Sequence, residues 1–479
     1  MRDAEDSVPY GVLYFTTYRN GSDDLTIVGL DIGTTTISTI VIDSDSGQVL
    51  ESITVPNQAK VEGAYPFEQL QNPEAIVSIA KDMLDKVVTQ YAPGSIGLTG
   101  QMHGILYVDE NGHAASPLYT WQDGRGDQPY DAGVSYTQEL TRRIESLPDY
   151  AQYSPLASGY GSVTHFYNTC NNLLPSSAAS FCTIQCYIGM GLCGRTHPLL
   201  HASDAASLGL YDLPHARFAQ EAIEVGGMDP ALYPEVTDDY ALMGHYKGVP
   251  VSIGLGDNQA SFLGTVRDPA GSILVNVGTG QQISLLSTSW SVQAPIEARP
   301  IAKGQFLQVG APICGGESYA LLERFFSQVV LMATGQKPGR LFEQMNEAAL
   351  RHLDASEKLA VSTQFRGTRQ DGGVRGAISG ISTDNFTPEL LTLGFLEGMV
   401  DELWSMYQKM EPEQRCTTLV GSGNAVRRNP ALRKVLETRF GLTLQIPIHQ
   451  EEAAFGAALF GYMSAGGSHG EISQCIQYD

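Results

Sequence analysis

The chain has 479 residues with 52 acidic against 29 basic side chains, and this net charge of −23 argues against a polyanion footprint and excludes nucleic acid as an expected partner. At 42% hydrophobic it can bury sizeable cores in two to four domains. Seven scattered cysteines and no apolar run of the ~20 residues that cross a bilayer lead us to expect a reducing, cytoplasmic location and no membrane association.

Residues 1–24 lack a basic stretch followed by a long apolar core, the Gly11–Thr17 run being too short and too polar for a signal peptide, and read as an irregular leader. The first device follows at Ile27–Thr36: an apolar β-branched run containing Asp31, a Gly33-Thr34-Thr35 turn, and a second run from Ile37 to Val41. This pattern predicts a hairpin whose glycine allows close backbone approach and whose amide N–H groups and threonine hydroxyls suit phosphate oxygens. Many such turns bind nothing, but the device recurs at Ser272–Leu286 around Asn276 and Gly278-Thr279-Gly280, which suggests a duplicated fold clamping a nucleotide. Asp31 reads either as a turn cap or as a carboxylate holding hydrated Mg²⁺ beside phosphates.

Between the two hairpins, Gln69–Tyr91 has helical periodicity and feeds a strand, Ser95–Thr99, that ends in Gly100-Gln101-Met102-His103-Gly104. Strand ends of this kind are where α/β sheets present ligand groups. Trp121-Gln122-Asp123-Gly124-Arg125 adds an aromatic face, a carboxylate and a guanidinium, a set that suits a polyol, although a core tryptophan and an interior histidine are the plain alternatives. Cys182, Cys186 and Cys193 lack the paired spacing of a zinc site. Ser158–Gly209 reads as mixed loops and helix. Val251–Leu255 is a buried-type strand ending in Gly256-Asp257-Asn258, where Asp257 is either a helix cap or a general base for a substrate hydroxyl. A domain boundary is expected near residues 260–270.

Beyond the second hairpin the pattern gives a helix at Leu390–Met410, a strand at Thr417–Val420, and the glycine turn Gly421-Ser422-Gly423-Asn424, suited to a nucleotide's ribose or base edge. A helix at Pro430–Phe440, a strand at Leu442–Ile446 and an alanine-rich helix at Glu451–Met463 complete an α/β alternation in both halves. There is no P-loop and no protein-kinase signature set.

Taken in order, Leu30–Thr35, Gly100–Gly104, Thr120–Arg125, Gly256–Ser261, Asn276–Gln282 and Gly421–Asn429 resemble the FGGY carbohydrate kinases, over about residues 25–465. The resemblance implies an α/β fold of two actin-like (ribonuclease-H-like) domains with a catalytic cleft between them: 25–262 for sugar and the first phosphate hairpin, 263–466 for ATP, and a tail at 467–479. It implies ATP and Mg²⁺ as cofactors, Asp257 as catalytic base, and Gln101, Met102, His103, Trp121, Asp123, Arg125, Asp257 and Asn258 as sugar contacts. Asp31, Gly33, Thr34, Thr35, Gly278, Thr279, Gly421, Ser422, Gly423 and Asn424 would lie at the nucleotide, with Asp31 reaching Mg²⁺ through water. The expected reaction is phosphorylation of a ketose's terminal hydroxyl, sedoheptulose first, with xylulose or another polyol as alternative and a non-catalytic ATP- or sugar-binding protein as a distant one. A homodimer is left open. Two departures stand out: Thr36 where the family has serine, and Gly367-Thr368-Arg369 where its loop has an acidic middle residue.

Overall fold

The computed structural model describes residues 25–131, 133–368 and 371–479, so the leader 1–24 and Arg369 lie outside the described residues. Two six-stranded mixed sheets organise the α/β chain. The first runs, edge to edge, Leu242–Tyr246, Val249–Gly256, Ser95–Gly100, Thr26–Ile32, Thr36–Asp43 and Val49–Pro56. Its three middle strands are parallel in a register that pairs Ile32 with Gly100 and Gly100 with Gly256, so their carboxyl ends finish side by side. Asp31, Gln101 and Asp257, far apart in sequence, therefore reach one edge of one sheet, which is where open α/β sheets place ligands.

Alternation along Thr26–Ile32 decides what each residue meets. Val28, Leu30 and Ile32 join the core that includes Ile76, Ala80 and Leu84 of the helix Pro73–Tyr91. Ile27 packs with Ala454, Phe455 and Ala458 of the helix Glu452–Ser464. Asp31 shares the face of Ile27 and is thereby directed towards the start of that last helix. The Pro73–Tyr91 helix begins four residues later than its periodicity suggests. Asn72 caps it by accepting from the Glu74 and Ala75 amides, and Leu70–Gln71 instead forms a short strand against Lys60–Val61 and Leu118–Tyr119.

The second sheet repeats the plan: the hairpin Ser272–Val277 and Gln281–Ser287, with Thr418–Ser422 and then Leu444–Gln445 in parallel beside it. Its other edge, Gln305–Gly310 and Glu297–Ala302, has no counterpart in the sequence reading. The expected helices appear at Pro388–Tyr407, Pro430–Phe440 and Glu452–Ser464, the first two opened by a proline after a capping Thr387 or Asn429. Ser158–Gly209 resolves into short, largely buried helices at Gly161–Cys170, Ile184–Cys193 and Ala202–Ser207. Among the described residues, no helix is long and apolar enough to cross a membrane.

The helix Glu452–Ser464 ties the halves together. It follows the second sheet in sequence yet packs on the first sheet and crosses the helix Asp257–Thr265, glycine against glycine at Gly456 and Gly264.

Candidate active site between the sheets

A cleft of about 650 Å³ opens between the sheets, lined from the first by Asp31, Gly33, Thr34, Thr35, Gln101, Met102, His103, Trp121, Asp257 and Asn258, and from the second by Leu274, Asn276, Gln282 and Arg299. Asp257 is the first residue of its helix and directly follows the Val249–Gly256 strand, whose end is fixed by the Gly256 amide donating to Ser203 Oγ at 2.9 Å. Burial pushes the Asp257 carboxyl up to about 6, against the opposing pull of the Asn258 amide and the Arg299 guanidinium. Burial, with Asp257 and Glu451 as like-charged neighbours, pushes Asp31 up to about 7. Two carboxyls that resist losing both protons together form an acidic floor, which a cation or an approaching proton would relieve.

On the opposite wall His103 sits at φ 74°, a strained setting for a non-glycine residue. Its amide donates to Ser207 Oγ at 3.1 Å and its ring lies 4.1 Å from that of Tyr160, nearly parallel to it. Nδ1 lies 2.7 Å from the Ser207 carbonyl, which makes Nδ1 the protonated ring nitrogen. Asn258 Oδ1 accepts from Arg299 at 3.2 Å, and Arg299 is paired to Glu297 at 2.6 Å. Arg299 thus crosses from the second sheet's edge strand to the end of the cleft that holds Met102, His103 and Asn258. The run Glu297-Ala298-Arg299-Pro300 holds no motif that would have marked it.

Several expected contacts are placed elsewhere. Asp123 and Arg125, read as sugar ligands, are 1% and 2% exposed and paired inside the protein at 2.6 Å. Arg125 also donates to Asn168 Oδ1 at 2.5 Å and stacks 4.1 Å from the Tyr119 ring centre. Two charges adjacent in a motif resemble a surface pair in sequence, but here each neutralises the other in the core. Arg125→Ala should accordingly lower stability by about 3–5 kcal/mol by stranding Asp123, read as a large fall in Tm. A raised sugar KM with unchanged Tm would instead return Arg125 to the binding wall.

Gln101 lines the cleft, but its amide is spent internally, accepting from Thr34 Oγ at 3.1 Å and donating to Gln71 at 2.9 Å. The Thr34 hydroxyl proton is therefore committed inward, which leaves the backbone amides and the exposed Thr35 hydroxyl as the hairpin's donors.

Gly278, Thr279 and Gly421–Asn424 lie at the carboxyl ends of adjacent strands of the second sheet, where Asn276 Nδ2 donates to Ser422 Oγ at 2.8 Å. Gly423 has φ 83°, and a Cβ on it would come within 2.5 Å of the Val277 carbonyl oxygen, so only glycine lets this turn abut the hairpin. The helix Gly316–Thr334 adds an element the sequence reading missed. The Gly315 and Glu317 amides donate to the Thr279 carbonyl and the Gly316 amide to that of Gly278, seating the start of a 19-residue helix on the second hairpin. The doubled glycine before Glu317 was the available signal. In the departing loop, Thr368 closes a turn with Asp371, donating its amide to the Asp371 carbonyl and accepting the Asp371 amide on Oγ1, both at 2.9 Å.

The N-terminal domain of the FGGY family of carbohydrate kinases matches residues 26–147 and its C-terminal domain residues 274–465. Among curated proteins, sedoheptulokinase of Mus musculus is 27% identical and that of Homo sapiens 26%, each across 90% of this chain and 96% of the relative. Among solved structures, xylulose kinase from Rhodospirillum rubrum superposes with a TM-score of 0.80 at 18% identity, covering 95% of this chain and 93% of that one, which shows the shared two-domain actin-like fold. With both family domains matched in order and the cleft built from their motifs, the chain belongs to the FGGY family of carbohydrate kinases, phosphotransferases that act on an alcohol group.

Proposed function

We propose that the protein transfers the γ-phosphoryl group of ATP to the terminal hydroxyl of a ketose, with sedoheptulose the foremost substrate and sedoheptulose 7-phosphate the product. The observation that carries the reading is the position of Asp257, at the meeting of three strand ends and between a wall of Trp121, Met102 and His103 and the first glycine hairpin. A sugar on that wall would direct its hydroxyl at Asp257. As the oxygen attacks phosphorus its proton passes to the carboxylate, and ADP leaves with the electron pair of the broken P–O bond. The second hairpin, Gly278-Thr279, and the turn Gly421–Asn424 would hold the remaining phosphates and the nucleoside.

The acidic floor fits Mg²⁺. Among the described residues no group of three or more His, Cys, Asp or Glu gathers into a metal cage, so a cation beside Asp31 would draw its other ligands from water and phosphate oxygens, as Mg²⁺ commonly does. When bound it would offset charge on the phosphates. Arg299 and Asn258 then remain to orient the sugar, and closure of the two halves to exclude competing water.

We further infer a division into 25–262 and 263–466, with Glu452–Ser464 reaching back onto the first sheet. All seven cysteines are free thiols, which supports a reducing, cytoplasmic setting.

The identity of the sugar is tested by coupled ADP release with Mg²⁺·ATP across sedoheptulose, xylulose, ribulose, fructose, glycerol and erythritol at equal concentration. We expect the highest kcat/KM with sedoheptulose. A higher value with xylulose keeps the kinase and reassigns its substrate, whereas ADP release that no sugar stimulates turns the reading towards a binding protein.

A further inference from the structure

We propose that Trp121, Thr34, Gln101 and Gln71 form a directional hydrogen-bond ring that couples sugar occupancy to the setting of the first phosphate hairpin, with Gln71 and Gln101 as positioning residues. The inference rests on the sugar-kinase reading above and assigns this chain a device for linking its two ligands.

The bonds run in one sense. Trp121 Nε1 donates to Thr34 Oγ1 at 2.9 Å, and Thr34 Oγ1 donates to Gln101 Oε1 at 3.1 Å. Gln101 Nε2 donates to Gln71 Oε1 at 2.9 Å, and Gln71 Nε2 returns to the Thr34 carbonyl at 2.9 Å. A hydroxyl has one proton and two lone pairs. With its proton given to Gln101 and one lone pair taken by the indole, Thr34 has a fixed rotor. Gln71 and Gln101 are 4% and 3% exposed, so neither amide has water as an alternative partner. The back of the hairpin is held separately, by Asn57 Nδ2 on the Gly33 carbonyl at 2.9 Å and by the Asn57 amide on the Thr35 carbonyl at 2.8 Å. The ring therefore sets the remaining, cleft-facing side.

Trp121 is the one exposed member, 46% accessible, with its ring on the cleft wall. Exposed side chains retain rotamer freedom, and a sugar stacked on the indole removes it. Ordering the indole orders its N–H, and through Thr34 it fixes the hairpin's amides in the direction of the phosphate. Linkage makes the effect reciprocal, so a nucleotide on the hairpin tightens sugar binding by the same factor. One net hydrogen bond sets its size at about three- to tenfold.

The test is calorimetric binding of Mg²⁺·AMP-PNP, a non-hydrolysable ATP analogue, with and without saturating sedoheptulose or xylulose, in the wild type, Trp121→Phe, Thr34→Val and Thr34→Ser. In the wild type the ketose should lower the nucleotide Kd about three- to tenfold. Trp121→Phe keeps a stacking face and lacks the N–H, so at a ketose concentration saturating for that variant the nucleotide ratio should fall to near one. Thr34→Val should also lose the ratio and Thr34→Ser should restore it. A wild-type ratio near one, or full coupling retained in Trp121→Phe, overturns the proposal. Ketose binding with coupling unaltered in the variants overturns the coupling alone. Failure of the wild type to bind either ketose overturns the sugar reading together with it. If Thr34→Val does not fold, Trp121→Phe decides, because it changes an exposed ring and leaves the buried amides in place.

Discussion

Asp257→Asn should lower kcat about 10²- to 10⁴-fold while the sugar Kd moves little, because the amide keeps the size and polarity of the carboxylate but cannot take the hydroxyl proton. The pH dependence carries a second signature. The group must be ionised to act, and burial has raised it from 3.8 to about 6, so wild-type kcat/KM should fall about tenfold per pH unit below that point. An acid limb near 4 would mean that the base is a solvated carboxyl elsewhere. Stability should move in the opposite direction to activity. A carboxyl with its pKa raised by folding contributes stability that is fully present below its unfolded pKa and is lost as pH rises through about 6. At pH 8 the Asp257→Asn variant, neutral at this position, should therefore be more stable than the wild type by about 1–2 kcal/mol, and at pH 3 the two should unfold alike. Loss of activity with no gain in stability at pH 8 would indicate a repacked cleft. A variant retaining near wild-type kcat would remove Asp257 from the role of base.

The carboxyl floor was legible because each of its members sits at the end of a strand that sequence alone identifies. Asp31 and Asp257 end or follow β-branched runs, and glycines beside them mark where the backbone must turn. The start at Pro430 was legible because a proline follows the capping Asn429, whereas starts read from periodicity at Gln69 and Leu390 missed the same signal at Asn72-Pro73 and Thr387-Pro388. Pairings made in three dimensions were not legible. Asp123 and Arg125 carry the same letters whether they face sugar or each other, and the Asn168 amide and Tyr119 ring that engage Arg125 lie outside that motif. Arg299 comes from a strand interrupted by Pro300 and closed by a Lys303-Gly304 turn, too irregular to score as alternating, and it reaches a wall whose other residues precede it by some 40 positions or more. The Thr34 hydroxyl was assigned to phosphate because threonines in such turns are free to donate. The bonds of Thr34 to Gln101 and Gln71, both remote in sequence, could not be read from that turn.

Gly456→Ala should be the most damaging single-methyl change in the chain's second half. A Cβ at Gly456 would lie 1.7 Å from the Ala260 carbonyl oxygen and 2.8 Å from the Gly264 nitrogen, where ordinary contact needs at least 3.4 Å. The obstacle is backbone, so no side-chain rotation relieves it and the two helices must part by more than an ångström. Neighbouring turns resist that movement: a Cβ on Gly29 would meet the Ala454 carbonyl oxygen at 1.8 Å and one on Gly97 the Ala457 carbonyl oxygen at 1.6 Å, so the whole helix rests on glycine-made hollows in the first sheet. Overpacking of a close-packed core costs about 1–3 kcal/mol, and an immovable contact of this kind belongs at or above the upper end. Thermal unfolding should therefore fall by roughly 5 °C or more. Gly191→Ala is the matched control, since nothing lies within 4 Å of its Cβ and it sits inside the helix Ile184–Cys193. There alanine should add about 0.5–1 kcal/mol by its helix preference. Activity separates a local from a global consequence. The helix that Gly456 presses against begins at Asp257, so parting the pair shifts the base, and kcat of the folded Gly456→Ala protein should fall beyond the share lost to unfolding. A Tm and kcat both matching the wild type would mean that the helices cross with room to spare, and the helix Glu452–Ser464 could not then be what holds Asp257 against the cleft floor.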